Sequence, residues 1–263
     1  MAEITAKLVN DLRSKTGLGM MECKKALIEC GGDVEKSIEY FRKKGVKTSV
    51  TERAANEGRV ICVSGGTSGV AVEIRCNTDF AAKSETVTKI VELGAAELTK
   101  NPSANLAENQ QIKDLLVLAA QQTGENIQLG RTASLKASGK VGAYNHYTGK
   151  ISVLVALTGN PSDEAIRDLC LHITAARPLA MTREQVPADL LAKEKEIAVE
   201  QAKASGKPQQ IAEKIAEGKM RVFFEERVLL DQKFVKDDSK SIAQLLKDNG
   251  TSLEGYVRIE VGQ

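Results

Sequence analysis

Gly58-Arg59-Val60-Ile61-Cys62-Val63-Ser64-Gly65-Gly66-Thr67-Ser68-Gly69-Val70-Ala71-Val72-Glu73-Ile74-Arg75-Cys76 is the stretch that decides the fold class. Residues 59–64 and 70–76 are rich in Val and Ile, and the glycine-rich segment between them supplies a turn, so the pattern predicts a β-hairpin. A second β region covers residues 141–146 and 151–157. Gly139-Lys140-Val141-Gly142-Ala143-Tyr144 and Gly149-Lys150-Ile151-Ser152-Val153-Leu154 echo the two halves of the first hairpin, with a spacing that differs by one residue. Glycine-bounded, Val-rich hairpins are common, but the echo suits two related α+β subdomains side by side. Gly255-Tyr256-Val257-Arg258-Ile259-Glu260-Val261 predicts a last strand that returns to an earlier sheet.

Helical periodicity surrounds these hairpins. Val87, Ile90, Val91, Ala95 and Leu98 recur at helical spacing, and another helix spans residues 112–123. The first 45 residues read as three short helices. Ile4, Leu8, Val9 and Leu12 line the first, which Thr16-Gly17-Leu18-Gly19 breaks. Cys23, Ala26, Leu27 and Cys30 share one side of the second, ended by Gly31-Gly32. Asp33 caps the third, whose Val34, Ile38 and Phe41 face inward, and Gly45 closes the unit. So small a core predicts a separate, mobile N-terminal domain, joined through a polar linker over 46–57. Residues 189–204 and 209–230 predict two helices separated by Ser205-Gly206-Lys207-Pro208. Their apolar residues (Leu190, Leu191, Ile197, Ala198 and Val199, then Ile211, Ile215 and Val222) form a thin seam. This suits a protruding antiparallel hairpin that closes on itself or docks on a partner.

Composition narrows the function classes. In 263 residues, Lys plus Arg number 37 and Asp plus Glu 35, a net charge of +2 that excludes a simple polybasic nucleic-acid binder. Apolar residues at 42% and charged residues at 27% exclude wholesale disorder. Aromatics at 3%, with no Trp, argue against base-stacking platforms. The longest apolar runs, such as 115–120 and 153–157, fall far short of the roughly 20 residues of a spanning helix. No signal-peptide pattern opens the chain. Five cysteines without a C-x-x-C pair read as buried thiols in a reducing compartment, not as a disulfide scaffold or zinc site.

No P-loop, H-E-x-x-H or G-x-S-x-G motif is present. Cys76-Asn77-Thr78-Asp79-Phe80-Ala81-Ala82-Lys83 sits between a β-like run and a helix. One reading has Thr78 or Asp79 capping a helix while Phe80 packs into the local core; the other has an exposed aromatic wedge beside a carboxylate. Met20-Met21 suits core packing or an adaptable apolar contact. His146 suits a surface interaction or a structural hydrogen bond. His172 reads as a satisfied core or helix-end histidine, and Lys193-Glu194-Lys195-Glu196 as a solvated face.

Three motifs, met in order, resemble the bacterial translation elongation factor Ts family. Leu12-Arg13-Ser14-Lys15-Thr16-Gly17-Leu18-Gly19-Met20-Met21-Glu22-Cys23-Lys24-Lys25-Ala26-Leu27 is similar to its opening motif, and Gly32-Asp33-Val34-Glu35-Lys36-Ser37-Ile38 continues it. Thr78-Asp79-Phe80 resembles the central motif. Ser205-Gly206-Lys207-Pro208, with Ile211-Ala212-Glu213-Lys214-Ile215 and Gly218-Lys219, resembles the third. Each motif is moderately specific, and the ordered three are highly specific.

The resemblance implies an α+β fold. A three-helix ubiquitin-associated-like domain (1–45) and a linker (46–57) precede a core of two related subdomains with antiparallel sheets, 58–138 and then 139–188 with 231–263. A helical-hairpin insertion occupies 189–230. It implies a guanine-nucleotide exchange factor, not an enzyme with covalent chemistry. Its partner would be elongation factor Tu, GDP-bound and nucleotide-free, with no cofactor, no direct nucleic acid and no membrane, and with self-association through the hairpin as a further possibility. Phe80 would be a wedge between partner helices near the Mg²⁺ site, Asp79 would orient partner groups, Thr78 would shape the turn, and Ala81 would stand where the family usually has Val. Leu12, Met20 and Met21 would dock on the GTPase domain. His146 would approach the phosphate-binding loop, and Val235 would touch a β-domain, beside a Lys236 that is Met in some relatives. The Met1 start suggests a bacterial cytoplasmic protein, and the stop at Gln263 suggests that a further helical module of longer members is missing. An interaction adaptor with a ubiquitin-like binding module, and an enzyme with an unrecognised site, are the competing classes.

Overall fold

The computed structural model describes residues 4–44, 55–204 and 209–263. Gly45, residues 46–54 of the expected linker and Ser205-Gly206-Lys207-Pro208 lie outside the described residues. Helices α1 (Ala6–Thr16), α2 (Met20–Glu29) and α3 (Val34–Lys43) come first. The Thr5 hydroxyl caps α1, and Gly17 ends it at φ +68, a left-handed conformation that glycine adopts without a Cβ clash. Asp33 accepts the Lys36 N–H at 3.1 Å and starts α3. Val9, Leu12, Cys23, Ala26, Leu27 and Phe41 close a small core of their own.

Strands β1 (Glu57–Gly65) and β2 (Ser68–Cys76) form the antiparallel hairpin read from the opening stretch. Helices α4 (Asp79–Ala82), α5 (Glu85–Lys100) and α6 (Gln110–Thr123) follow, and β3 (Gln128–Lys136) then pairs antiparallel with β2. Val87, Ile90, Val91, Ala95 and Leu98 of α5 pack in one cluster with Val70, Val72 and Ile74 of β2, as their spacing predicts. The pattern did not disclose β3. Gln-Leu-Gly-Arg-Thr-Ala-Ser-Leu-Lys has few β-branched residues, and its strand state depends on the ladder to β2.

Strands β4 (Lys140–Asn145) and β5 (Ile151–Leu157) form the second hairpin, followed by α7 (Asp163–Ala176). Next come α8 (Ala188–Ala204) and α9 (Gln209–Arg227), the short strands β6 (Lys233–Phe234) and β7 (Asp237–Ser241), and α10 (Ile242–Asp248). Strand β8 (Leu253–Glu260) returns to pair antiparallel with β5. The two three-stranded sheets, β1-β2-β3 and β4-β5-β8, therefore share one plan: a hairpin, then helices, then a third strand beside the hairpin's second. The sequence echo falls on the two hairpins. Among the described residues, no helix is long and apolar enough to cross a membrane.

Helices α8 and α9 lie antiparallel, with Lys219 Nζ donating to Gln201 Oε1 at 2.5 Å and Leu190 and Leu191 clustered with Phe223 and Phe224. The expected seam is corrected in part. Among the described residues of these helices, Ala198, Ala202 and Ala216 are buried, whereas Ile197, Ile211 and Val222 are exposed. Small side chains let the two helices approach closely there, while Val199 and Ile215 are half-buried.

The sheets meet over Val60, Cys62 and Ala71 from one side and Val141, Leu154, Ala156 and Ile259 from the other. Asn145 bridges them as a strand would. Its Oδ1 accepts the Cys62 N–H at 2.7 Å, and its Nδ2 donates to the Cys62 carbonyl at 2.9 Å. Ser152 Oγ donates to the same Oδ1 at 2.7 Å. A Cβ on Gly69 would stand 2.7 Å from Val141 Cγ1, so this packing needs glycine there. Asn145→Ala would strand both polar groups of Cys62. It is expected to lower stability by about 1–3 kcal/mol, read from urea unfolding followed by circular dichroism.

Candidate functional site

Thr78-Asp79-Phe80 occupies the exit from β2. Thr78 is extended, and its hydroxyl accepts the Ala81 N–H at 3.3 Å, capping α4. That helix lasts one turn, because Ser84 caps α5 immediately afterwards by accepting the Val87 N–H. One turn has one inward face, and Ala81 and Ala82 fill it at 3% and 4% exposure. Phe80 therefore points outward and is 84% exposed. The reading in which Phe80 packs into the local core is overturned, while Thr78 capping holds. Ala81 faces the chain's own core, not the surface that presents Phe80. The Asp79 carboxylate pairs with Lys83 Nζ at 2.8 Å, which holds its carboxyl below the usual carboxylate range; the Lys150 charge acts the same way.

Behind the turn lies a residue that the sequence reading missed. Glu125 Oε2 accepts the N–H groups of Asn77 at 3.0 Å and Thr78 at 2.9 Å, and its Oε1 accepts the Thr78 hydroxyl at 2.5 Å. The Asn126 N–H donates to Asn77 Oδ1 at 2.9 Å. A lone Glu after a helix-ending glycine carries no motif. Only the tertiary fold brings it to residues nearly fifty positions earlier.

In the N-terminal helices, Met20 and Met21 are 51% and 67% exposed on α2. Ile28, two turns on from Met21, adds to that apolar surface and was not singled out from the sequence. Leu12 is a correction. It is fully buried, because its turn of α1 faces α2 and α3, so it supports the surface without contributing to it. These helices rest on α6: Gln121 Nε2 donates to the Gly17 carbonyl at 2.6 Å, and Arg13 pairs with Asp114 at 3.6 Å.

His146 is half-buried at the tip of the β4–β5 hairpin, with Nδ1 2.9 Å from Thr148 Oγ1. Tyr147, also unanticipated, is 91% exposed, with its ring centroid 4.4 Å from that of His146. The tip lies beside β1, since the Val60 N–H donates to the Gly149 carbonyl at 2.9 Å and Lys150 pairs with Glu57 at 2.5 Å. Val235 is exposed, and its N–H donates to His172 Nδ1 at 3.3 Å. His172 is buried, with Nε2 3.0 Å from Gln232 Oε1, which makes it the satisfied core histidine expected. Because Nδ1 accepts, Nε2 carries the proton. Lys236 is held by Asp168 at 2.6 Å. Burial pushes the thiols of Cys62 and Cys170 up to about 12 and that of Cys76 to about 11, so they are unreactive as nucleophiles. The exposed set is aromatic rings, thioethers and one charged carboxylate on firm supports, a chemistry of contact.

The sequence profile described as Elongation factor TS matches residues 77–263. Two curated relatives named Elongation factor Ts are each 39% identical. The one from Psychrobacter sp. (strain PRwf-1) aligns over 274 residues, covering 100% of this chain and 92% of that protein. The one from Hyphomonas neptunium (strain ATCC 15444) aligns over 281 residues, covering 100% and 93%.

The buried histidine generates a pH prediction. Loss of solvation holds His172 below its ordinary value of 6.5, so the unfolded chain takes up this proton first as pH falls. Its contribution to stability is complete above about pH 6.5 and is lost as pH falls through the depressed folded value. Thermal melts across this window should show the decline, and His172→Gln should flatten it.

Proposed function

The chain belongs to the elongation factor Ts family, the nucleotide exchange factors of elongation factor Tu in translation elongation, and we propose that it releases GDP by pressing Phe80 into that GTPase beside its Mg²⁺. The observation that carries this reading is the posture of the turn. One large aromatic side chain projects into solvent while the alanines after it are anchored in the core. Isolated exposure of a Phe at a capped, anchored position leaves its apolar surface to be buried by a partner.

The bound nucleotide is held partly through Mg²⁺, which bridges phosphate oxygens and tolerates little departure from octahedral geometry. A rigid ring that displaces the elements around the metal degrades that geometry and weakens the whole site. Asp79, kept charged by Lys83, offers a carboxylate to partner donors. Thermodynamic linkage sets the cycle: a factor that binds the nucleotide-free GTPase more tightly is displaced by nucleotide in the same ratio. A few-thousand-fold acceleration corresponds to about 5 kcal/mol, within reach of a buried aromatic and several docked surfaces.

Met20 and Met21 supply the N-terminal docking surface on the GTPase domain, with Leu12 beneath them. His146 approaches the phosphate-binding loop, and Val235 meets a β-domain, with Lys236 held back by Asp168. We divide the chain as its sequence suggests: a ubiquitin-associated-like unit over 1–45, a linker over 46–57, two related subdomains over 58–138 and over 139–188 with 231–263, and a hairpin insertion over 189–230. The shared strand order of the two sheets supports the middle two units. The place of action is the cytoplasm. The exposed Ile197, Ile211 and Val222 are the surface for self-association, which a monomeric sedimentation profile at micromolar concentration would exclude.

Substoichiometric amounts of the chain should accelerate release of fluorescent GDP from elongation factor Tu. Phe80→Ala should slow that release by at least about tenfold, or about 1.4 kcal/mol, while binding partly persists. Release as fast as with the unsubstituted chain would remove Phe80 as the wedge.

A further inference from the structure

Resting on the Phe80 reading above, we propose that Glu125 is a positioning residue for nucleotide exchange, its carboxylate fixing the turn that carries the aromatic wedge. Helix α4 has only four residues. A single turn has too few internal hydrogen bonds to hold itself against the entropy of fixing its backbone. Its geometry must be imposed from outside, and the donors at its entrance converge on one side chain. Glu125 takes the N–H groups of Asn77 and Thr78 and the Thr78 hydroxyl. Consecutive backbone N–H groups aimed at one carboxylate make a strong, charge-assisted clamp.

The clamp extends to the cap. The Thr78 hydroxyl donates to Glu125 while accepting the Ala81 N–H, so its orientation as a cap follows from the carboxylate. The Thr78 carbonyl is engaged as well, by the Cys76 thiol at 3.1 Å and the Ala82 N–H at 3.2 Å. Thr78 is thus held at every polar atom, and Phe80 follows two residues later.

The placement of Glu125 does not serve its own helix. It follows Gly124, which ends α6 at φ +69, where the helix dipole disfavours a negative charge. The charge is compensated by Asn77 and Thr78. The same helix supports the N-terminal unit through Gln121 and Asp114. Helix α6 is therefore one strut that sets both the wedge and the Met20-Met21 surface. A wedge that yields when it meets the partner transmits little of its docking energy to the metal site. A pre-ordered wedge avoids that ordering cost at the moment of contact.

The test is release of fluorescent GDP from elongation factor Tu, followed as a function of factor concentration. Glu125→Gln keeps the shape but turns an NH₂ group toward one set of donors. The maximal release rate should fall about tenfold while the half-saturating concentration moves less than about threefold, a split that general destabilisation would not produce. In a Phe80→Ala background, Glu125→Gln should cost less than about a further twofold, because the two residues act through one element. If Glu125→Gln fails to fold, Thr78→Val removes the hydroxyl alone and should show the same non-additivity with Phe80→Ala. An unchanged rate for the folded Glu125 variant (or for Thr78→Val in its place), with Phe80→Ala slow, overturns the clamp and leaves the wedge standing. Multiplicative losses in the double variant also overturn the clamp. An unchanged rate for Phe80→Ala removes wedge and clamp together.

Discussion

The joint between the two sheets is the constraint on which the rest of the molecule depends. Strand β1 approaches β4 and β5 closely enough that one side-chain amide, Asn145, supplies the pairing a backbone would otherwise make to Cys62. An amide can do this because it carries a donor and an acceptor at the spacing of a peptide group. The same joint brings the hairpin tip with His146 and Tyr147 to the beginning of β1, and β1 lies beside β2, whose end launches Phe80. Surfaces that are distant in sequence thus share one rigid base.

An ion pair to a buried carboxylate reinforces the joint. Burial alone would push the Glu73 carboxyl up, but Arg131, bonded through Nε and Nη2 at 2.8 Å and through its N–H at 2.9 Å, outweighs that and holds it below the usual range. Arg131 Nη2 also donates to the Glu260 carbonyl at 2.6 Å, which ties β3 to β8 in the other sheet. A Cβ on Gly130 would stand 2.6 Å from the Glu73 carboxylate, so glycine leaves the space this pair occupies. Desolvation of the buried carboxylate offsets much of the pair's attraction. The chain uses a second carboxylate, Glu125, in a similar way on the outside of the core, where it orders a turn.

The exposed groups divide into two kinds. Phe80 and the methionines present apolar surface to water, which costs free energy. Asp79 and Lys83 keep a charged pair beside the ring, which preserves solubility around an otherwise adhesive patch.

Much of this was legible in the residues. Both hairpins, their echo, α5 and the three N-terminal helices follow from period and turn chemistry, because these are local consequences of side-chain spacing. The three ordered motifs were enough to indicate the family. Strand β3 was hidden, since its polar composition is overridden by pairing to β2. The burial of Leu12, the outward turn of Phe80 and the alanine seam of the helical pair were decided by packing, where periodicity marks an apolar residue without saying whether its face is covered. Glu125 was invisible for a further reason: its partners lie nearly fifty residues away, and a hydrogen bond at that separation exists only after the chain has closed. What the sequence determined by itself was the two hairpins, the returning last strand, the strongly periodic helices and the kinship. Which side chains stand free and which are held was left to the tertiary structure, because exposure and long-range hydrogen bonding are properties of the assembled surfaces.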